Sequence, residues 1–198
     1  MRDTDQRIIK FDYDKNFNNE DFYLSKSNKH VFDFLNIWPK WEKNFVNVIG
    51  EKLSGKTHLM NIFLQKNKGI KFEGKSLTDN DLKKIKIFEN VIIENLSPNI
   101  NEKLLYSLFN LVEQDNKFII VTSAEPIVNI TFNLKDLKSR TKNFILLNIE
   151  KPDDELIFAI ILKNLSDRQI VLEDKFIEFI IKRIERSYSK IYDFIYKI

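Results

Sequence analysis

The sequence predicts an α/β fold, in which a parallel five-stranded sheet lies between helices and is followed by a small helical lid, whole or truncated. Three observations predict it. Five short apolar runs rich in β-branched residues alternate with segments of helical period, the order that builds a parallel sheet covered on both faces. After Pro152 the strand signals stop and only helical periodicity continues. Hydrophobic residues make up 43% of the 198 positions, enough for one sizeable core.

The elements follow in order. Residues 1–21 are polar, with isolated Ile8, Ile9, Phe11, Tyr13 and Phe17, and predict an extended tail. "SNKHVFDFLNIW" from Ser27 sets Val31, Phe34, Leu35 and Trp38 on one helical face, with Ser27 or Asn28 as N-cap and Pro39 as the stop. "FVNVIG" (45–50) reads as the first strand. The segment "KTHLMNIFLQKN" after it reads as a helix with Leu59, Ile62 and Phe63 on its inner face. Strands are predicted again at "IKF" (70–72), "NVIIEN" (90–95), "KFIIVTS" (117–123) and "FILLNI" (144–149). Between them lie the helical patterns "TDNDLKKIK", "NEKLLYSLFNLVEQ" and "LKDLKSR". Beyond Pro152, "DDELIFAIILKNL", "EDKFIEFIIKRIE" and "SKIYDFIYKI" are helical in period, with Asp153 and Glu173 placed to favour helix starts. The chain thus divides into a tail (1–21), an α/β base (22–150) and a helical lid (151–198).

Composition narrows the chemistry. With no cysteine, disulfides, zinc ribbons and thiol catalysis are excluded, and His30 and His58 alone cannot form a histidine-rich metal site. A formal charge of +3 demands neither a nucleic acid nor a membrane as partner. The longest apolar runs, such as "LIFAIIL" (156–162), are too short to span a bilayer, so a soluble cytoplasmic protein is expected.

The stretch "GEKLSGKTHL" (50–59) carries the chemistry. Gly50, Gly55, Lys56 and Thr57 fit the phosphate-loop pattern G-x-x-x-x-G-K-[ST], between a predicted strand and a predicted helix as that pattern requires. Gly55 lets backbone N–H groups curl around a phosphate, the helix N-terminus adds positive potential, Lys56 reaches the outer phosphates and Thr57 offers a hydroxyl to Mg²⁺. Leu53 is the irregularity, because a Cβ there strains the loop if its turn is left-handed. Glu94, at the end of the third predicted strand, is the candidate acid for a metal. The next residue is Asn95, which cannot take a proton as a carboxylate would, so hydrolysis by this chain alone is expected to be slow or absent.

The motifs "DFYLSKSN" (21–28), "GKTHL" (55–59), "VIIEN" (91–95), "VTSAEP" (121–126), "LKSR" (137–140) and "RIERS" (183–187) occur in the order seen in the AAA+ ATPase domain of the replication initiator DnaA. The length, the tail and "IWPKW" (37–41) resemble more closely the Hda-type regulatory inactivators of DnaA within that family. The resemblance implies an AAA+ base holding ADP or ATP with Mg²⁺. The segment holding Phe22 and Tyr23 would lie by the adenine, Gly50, Ser54, Gly55, Lys56, Thr57 and His58 around the phosphates, and Thr57 and Glu94 at the metal. It also implies that Arg140 is an arginine finger presented in trans to a neighbouring subunit's nucleotide. Departures from the family pattern fall on Leu53, Asn95, Ala124 and Glu125. A lid arginine is missing near Ser189, with Arg186 and Lys190 close by.

In the tail, "QRIIKF" (6–11) resembles the sliding-clamp-binding peptides of Hda-like proteins, with Gln6, Ile8, Ile9 and Phe11 as contacts and Arg7 where a leucine is usual. A tail strand folded back on its own domain remains the alternative. The expected function is an adaptor with weak or no ATPase activity of its own. It would bind the clamp and promote hydrolysis of DnaA-bound ATP, without direct sequence-specific DNA binding and with self-association left open. The alternatives are a self-sufficient P-loop ATPase that loads or remodels a replication protein, and an interaction module whose loop holds no nucleotide.

Overall fold

The computed structural model describes residues 22–197. Its elements run α1 (Lys29–Asn36), β1 (Phe45–Ile49), α2 (Lys56–Lys66), β2 (Gly69–Glu73), α3 (Asp79–Ile85), β3 (Asn90–Leu96), α4 (Glu102–Gln114), β4 (Phe118–Ser123), α5 (Lys135–Thr141), β5 (Ile145–Asn148), α6 (Asp154–Asp167), α7 (Asp174–Ile181) and α8 (Tyr188–Lys197). The five strands form one sheet in the order β2-β3-β4-β1-β5, and every pairing is parallel. This is the predicted α/β class.

Alternation along the strands feeds two cores. Val91, Ile93, Ile119 and Val121 point to the face covered by α3, α4 and α5, where Leu105, Leu108, Phe109 and Leu137 are fully buried. Val46, Val48, Ile92 and Ile120 point to the other face, against Val31 and Leu35 of α1 and Leu59, Met60 and Phe63 of α2. A third cluster, Ile157, Ile161, Leu165, Ile177, Ile181, Ile191 and Ile195, joins α6, α7 and α8 to one another. Helix α6 bridges cores, since Leu156 packs with the sheet and Ile157 with the helical cluster.

Local chemistry sets the helix starts. Thr78 and Asp81 form a capping box on α3, Asn101 accepts from the Leu104 N–H at 3.2 Å, and Asp153 accepts from the Leu156 N–H at 2.9 Å. Asn28 occupies the N-cap position of α1 but does not cap it with its side chain. That side chain folds backward, accepting from Ser25 N–H (3.0 Å) and donating to the Tyr23 carbonyl (2.9 Å), which binds the preceding segment to the helix. Glu173 likewise precedes α7 without a side-chain cap. Among the described residues, no helix is long and apolar enough to cross a membrane.

From β1 the chain crosses to the far edge of the sheet, and from β4 it passes back over β1 to β5, so the C-terminal end of β1 faces a change of direction. Ligands of open α/β sheets gather at such points. A polar residue in the middle of β1 organises this end. Asn47, fully buried, donates to the Val121 carbonyl (3.0 Å) and Ser123 Oγ (2.8 Å) and accepts from the Ile127 N–H (2.8 Å). It pins the turn that follows β4. Replacing Asn47 by Ala strands these partners in the interior, and is expected to cost about 2–4 kcal/mol in urea unfolding. A loss under about 0.5 kcal/mol would mean that the bridge does not hold the turn.

Candidate functional site

Residues 50–55 leave the buried end of β1 and turn directly into α2. Gly55 sits at φ +88°, which strains any residue with a Cβ, and a Cβ there would also crowd the Phe22 ring at 3.1 Å. Leu53 has φ +70° and is 41% exposed, so its Cβ lies in the left-handed region with little burial to offset the strain. Unlike α3, α4 and α6, helix α2 has no side-chain cap. Its first-turn amides therefore open toward the loop unclaimed by any cap, a setting that favours an anion.

Lys56 turns back into its own loop. Its ammonium donates to the Gly50 carbonyl (2.6 Å), the Glu51 carbonyl (2.7 Å) and Ser54 Oγ (3.4 Å), and the side chain is buried. Burial pushes its pKa down, while the charges of Glu51 and Glu94 oppose that shift. Thr57 and His58 follow on the first turn of α2. The Phe22 ring lies edge-on to His58 (5.2 Å) and stacks with Phe32 (6.3 Å), whereas Tyr23 is exposed. The segment 22–28 is anchored beside the loop, for Glu150 N–H donates to the Ser27 carbonyl (2.9 Å) and Ser27 N–H to Asp153 (3.3 Å). Phe22, Gly50, Ser54, Gly55, Lys56, Thr57 and His58 are thus brought together at the end of β1.

Glu94, buried on β3, is close enough for its charge to act on Lys56. Its Oε2 is paired with Lys71 of β2 at 3.0 Å, and its Oε1 is buried without a hydrogen-bond partner. Lys71 also donates to Asn61 of α2 at 2.7 Å. The orphaned Oε1 alone would suit a cation. Lys71, however, already supplies one to the same carboxylate, and like unit charges 4 Å apart repel by about 4 kcal/mol at an effective dielectric of 20, twice that for a dication. Among the described residues, no group of three or more acidic or histidine side chains could hold a metal. The Lys71 ammonium thus disfavours a divalent ion at Glu94, and without a nucleotide's phosphates the described side chains do not make up a metal's ligand set.

Asn95 has its own backbone reason. It lies at φ +55° beside a register shift of β3 against β4, where its N–H donates to Thr122 Oγ1 (3.0 Å), and asparagine tolerates that conformation well. Its side chain donates to Glu73 of β2 (3.1 Å). Ala124 and Glu125 are exposed in the turn after β4. In the lid, Arg186 pairs with Asp154 at 2.9 Å, and Lys190 is exposed.

Arg140 lies on α5, and its described partners are on α4. Its guanidinium donates to Glu113 and rests over the Tyr106 ring (5.4 Å), with the side chain 26% exposed. Gln6, Ile8, Ile9 and Phe11 lie outside the described residues. The sequence did not single out Lys71, Asn61, Thr122 or Tyr188. Tyr188 opens α8, where its N–H donates to Glu51 Oε2 (3.3 Å) and its hydroxyl to the Glu150 carbonyl (3.1 Å), joining the lid to the loop. Burial pushes its phenol up to about 12. The one available signal for Lys71 was a lysine inside a strand, between Ile70 and Phe72.

No protein-family model matches this chain, and no curated protein matches it. Solved structures do. The replication initiator DnaA bound to AMPPCP and single-stranded DNA superposes with a TM-score of 0.67 at 16% identity, over 90% of this chain and 63% of that one. Domain III of the Thermotoga maritima initiator DnaA gives 0.69 at 15% identity, over 90% and 85%. The Thermotoga maritima RuvB Holliday junction branch migration motor gives 0.56 at 20% identity, over 77% and 53%. This chain thus spans less than two thirds of the length of that nucleotide-bound initiator. The fold is shared with these structures, with its parallel sheet and flanking helices as in the DnaA domain.

The left-handed Leu53 yields a test of the loop's strain. Leu53→Gly should stabilise the protein by about 0.5–1 kcal/mol in urea unfolding, while Leu53→Ala, which keeps the Cβ, should not. Equal stability of all three proteins would show that the loop carries no such strain.

Proposed function

We propose that this chain is an AAA+ adaptor of replication control. It holds ADP or ATP on the loop 50–57, docks through its tail on the DNA sliding clamp and lends Arg140 to hydrolysis of ATP bound by DnaA, lowering the initiator's activity. One observation carries the reading: the glycine-lysine-threonine turn stands at the C-terminal end of β1, with uncapped α2 amides behind it, on a fold shared with an initiator domain solved with a nucleotide analogue.

The residues around the loop favour holding a nucleotide over spending it. Asn95 brings an amide where a carboxylate would position water, and that amide is turned to Glu73. Ala124 and Glu125 bring neither the acid nor the arginine that the DnaA pattern has there. Arg140, by contrast, is retained. Its partner Glu113 is 56% exposed, and exposed ion pairs contribute about 0–1 kcal/mol. A neighbouring subunit's phosphate would displace Glu113, the more exposed partner, while Arg140 stays over the Tyr106 ring. A finger in trans accelerates phosphoryl transfer by roughly 10³–10⁵.

The test is DnaA ATP hydrolysis with the clamp and the whole chain present. The protein should accelerate it, Arg140→Ala should remove at least about tenfold of that acceleration with folding unchanged, and removal of residues 1–21 should abolish clamp binding alone. Undiminished stimulation by Arg140→Ala would refute the finger. Turnover by the purified chain without DnaA, lost in Lys56→Ala, would instead identify a self-sufficient ATPase.

A further inference from the structure

We propose that Lys71 is a tethered cation that takes the place of a divalent metal at Glu94, so that the loop retains its nucleotide without Mg²⁺. The inference rests on the nucleotide occupancy proposed above. Glu94 has a side chain only 7% exposed, and its charge is met by an ammonium at 3.0 Å. That ammonium is not a loosely placed surface group. Asn61 Oδ1 accepts from it at 2.7 Å, so it is fixed between β3 and α2, the same helix that starts at the phosphate loop. The neighbouring acid is committed as well, because Glu73 accepts from Asn95.

Magnesium keeps several of its waters and is held in nucleotide sites by one or two carboxylates together with the phosphates, so a carboxylate already paired with a fixed ammonium is a poor ligand for it. Here the Glu94 carboxylate is paired at Oε2 with an ammonium from within the fold. Glu94 also helps sustain the charge of Lys56. Glu51 and Glu94 offset the charges of Lys56 and Lys71, so a phosphate is held by the two ammonium donors and the uncapped first-turn amides of α2 rather than by a net field. What they lack is the mobile dication that bridges phosphate oxygens and neutralises charge as a phosphoryl group departs. The same replacement therefore keeps the nucleotide and suppresses its turnover.

Calorimetric titration of the full chain with ADP and with ATP, in Mg²⁺ and in a chelator, tests this. The dissociation constants should agree within about threefold across the two conditions. Lys71→Met should bind poorly in the chelator and recover about tenfold or more with Mg²⁺. A gain above about threefold from Mg²⁺ in the unaltered chain overturns the proposal, and so does a folded Lys71→Met protein that binds equally well without metal. If Lys71→Met does not fold, the unaltered chain decides. If neither nucleotide binds under either condition, the occupancy reading fails by itself. Mn²⁺ titration of the nucleotide-free chain, followed by electron paramagnetic resonance, then decides the cation question. Absence of bound Mn²⁺ supports the tethered lysine, and a stoichiometric Mn²⁺ lost in Glu94→Gln overturns it.

Discussion

The loop between β1 and α2 depends on one interaction, the closure of the Lys56 ammonium onto the carbonyls of Gly50 and Glu51. Buried charge is costly unless hydrogen-bonded, and here the loop's own oxygens supply the bonds. The loop must consequently turn tightly enough to bring Gly50 and Glu51 over the start of α2, and Gly55 makes that turn in a conformation that penalises any Cβ. With its backbone so held, Glu51 presents its carboxylate to the first amide of α8. Sheet, loop and lid therefore meet around a single lysine. Asn47 serves the same end of the sheet from inside β1, tying the turn after β4 to the strand that feeds the loop.

Charge is distributed unevenly around this centre. Toward the loop, Lys71 is shared between Asn61 and Glu94 Oε2, Glu94 Oε1 has no hydrogen-bond partner, and Asn95 is drawn to Glu73. Away from it, the described partners of Arg140 are Glu113 and Tyr106 of α4, and the arginine itself is 26% exposed. A buried pair is hard to open without leaving an unpaired charge, whereas an exposed pair exchanges partners readily.

The fold was largely legible in the sequence because every strand is a short apolar run bounded by turn or helix signals, and because the buried faces of α1 and α2 follow helical spacing. The glycine-lysine-threonine turn was legible for the same reason, being local in sequence. Leu53 was suspected from its Cβ, and its left-handed φ is the strain that the residue type implied. What the sequence could not convey was pairing between distant segments. Lys71 meets Glu94 only because β2 lies beside β3, and Arg140 meets Glu113 only because α5 packs on α4. Asn95 showed a lost carboxylate in sequence, while its second role, tolerating a left-handed residue at a shift of strand register, needed the sheet. The contacts of Tyr188 with Glu51 and Glu150 likewise depend on where α8 packs, which no local pattern conveys.

The central claim is that the loop holds a nucleotide through Lys56 and does not consume it. Equilibrium binding of ADP and ATP to the whole chain, compared with Lys56→Ala and followed by product analysis of the bound ATP, tests it most directly. The account predicts that both nucleotides bind, that the substitution weakens binding by about tenfold or more, and that bound ATP is recovered intact. Absence of binding by the unaltered chain, or rapid conversion of its ATP to ADP, would contradict it.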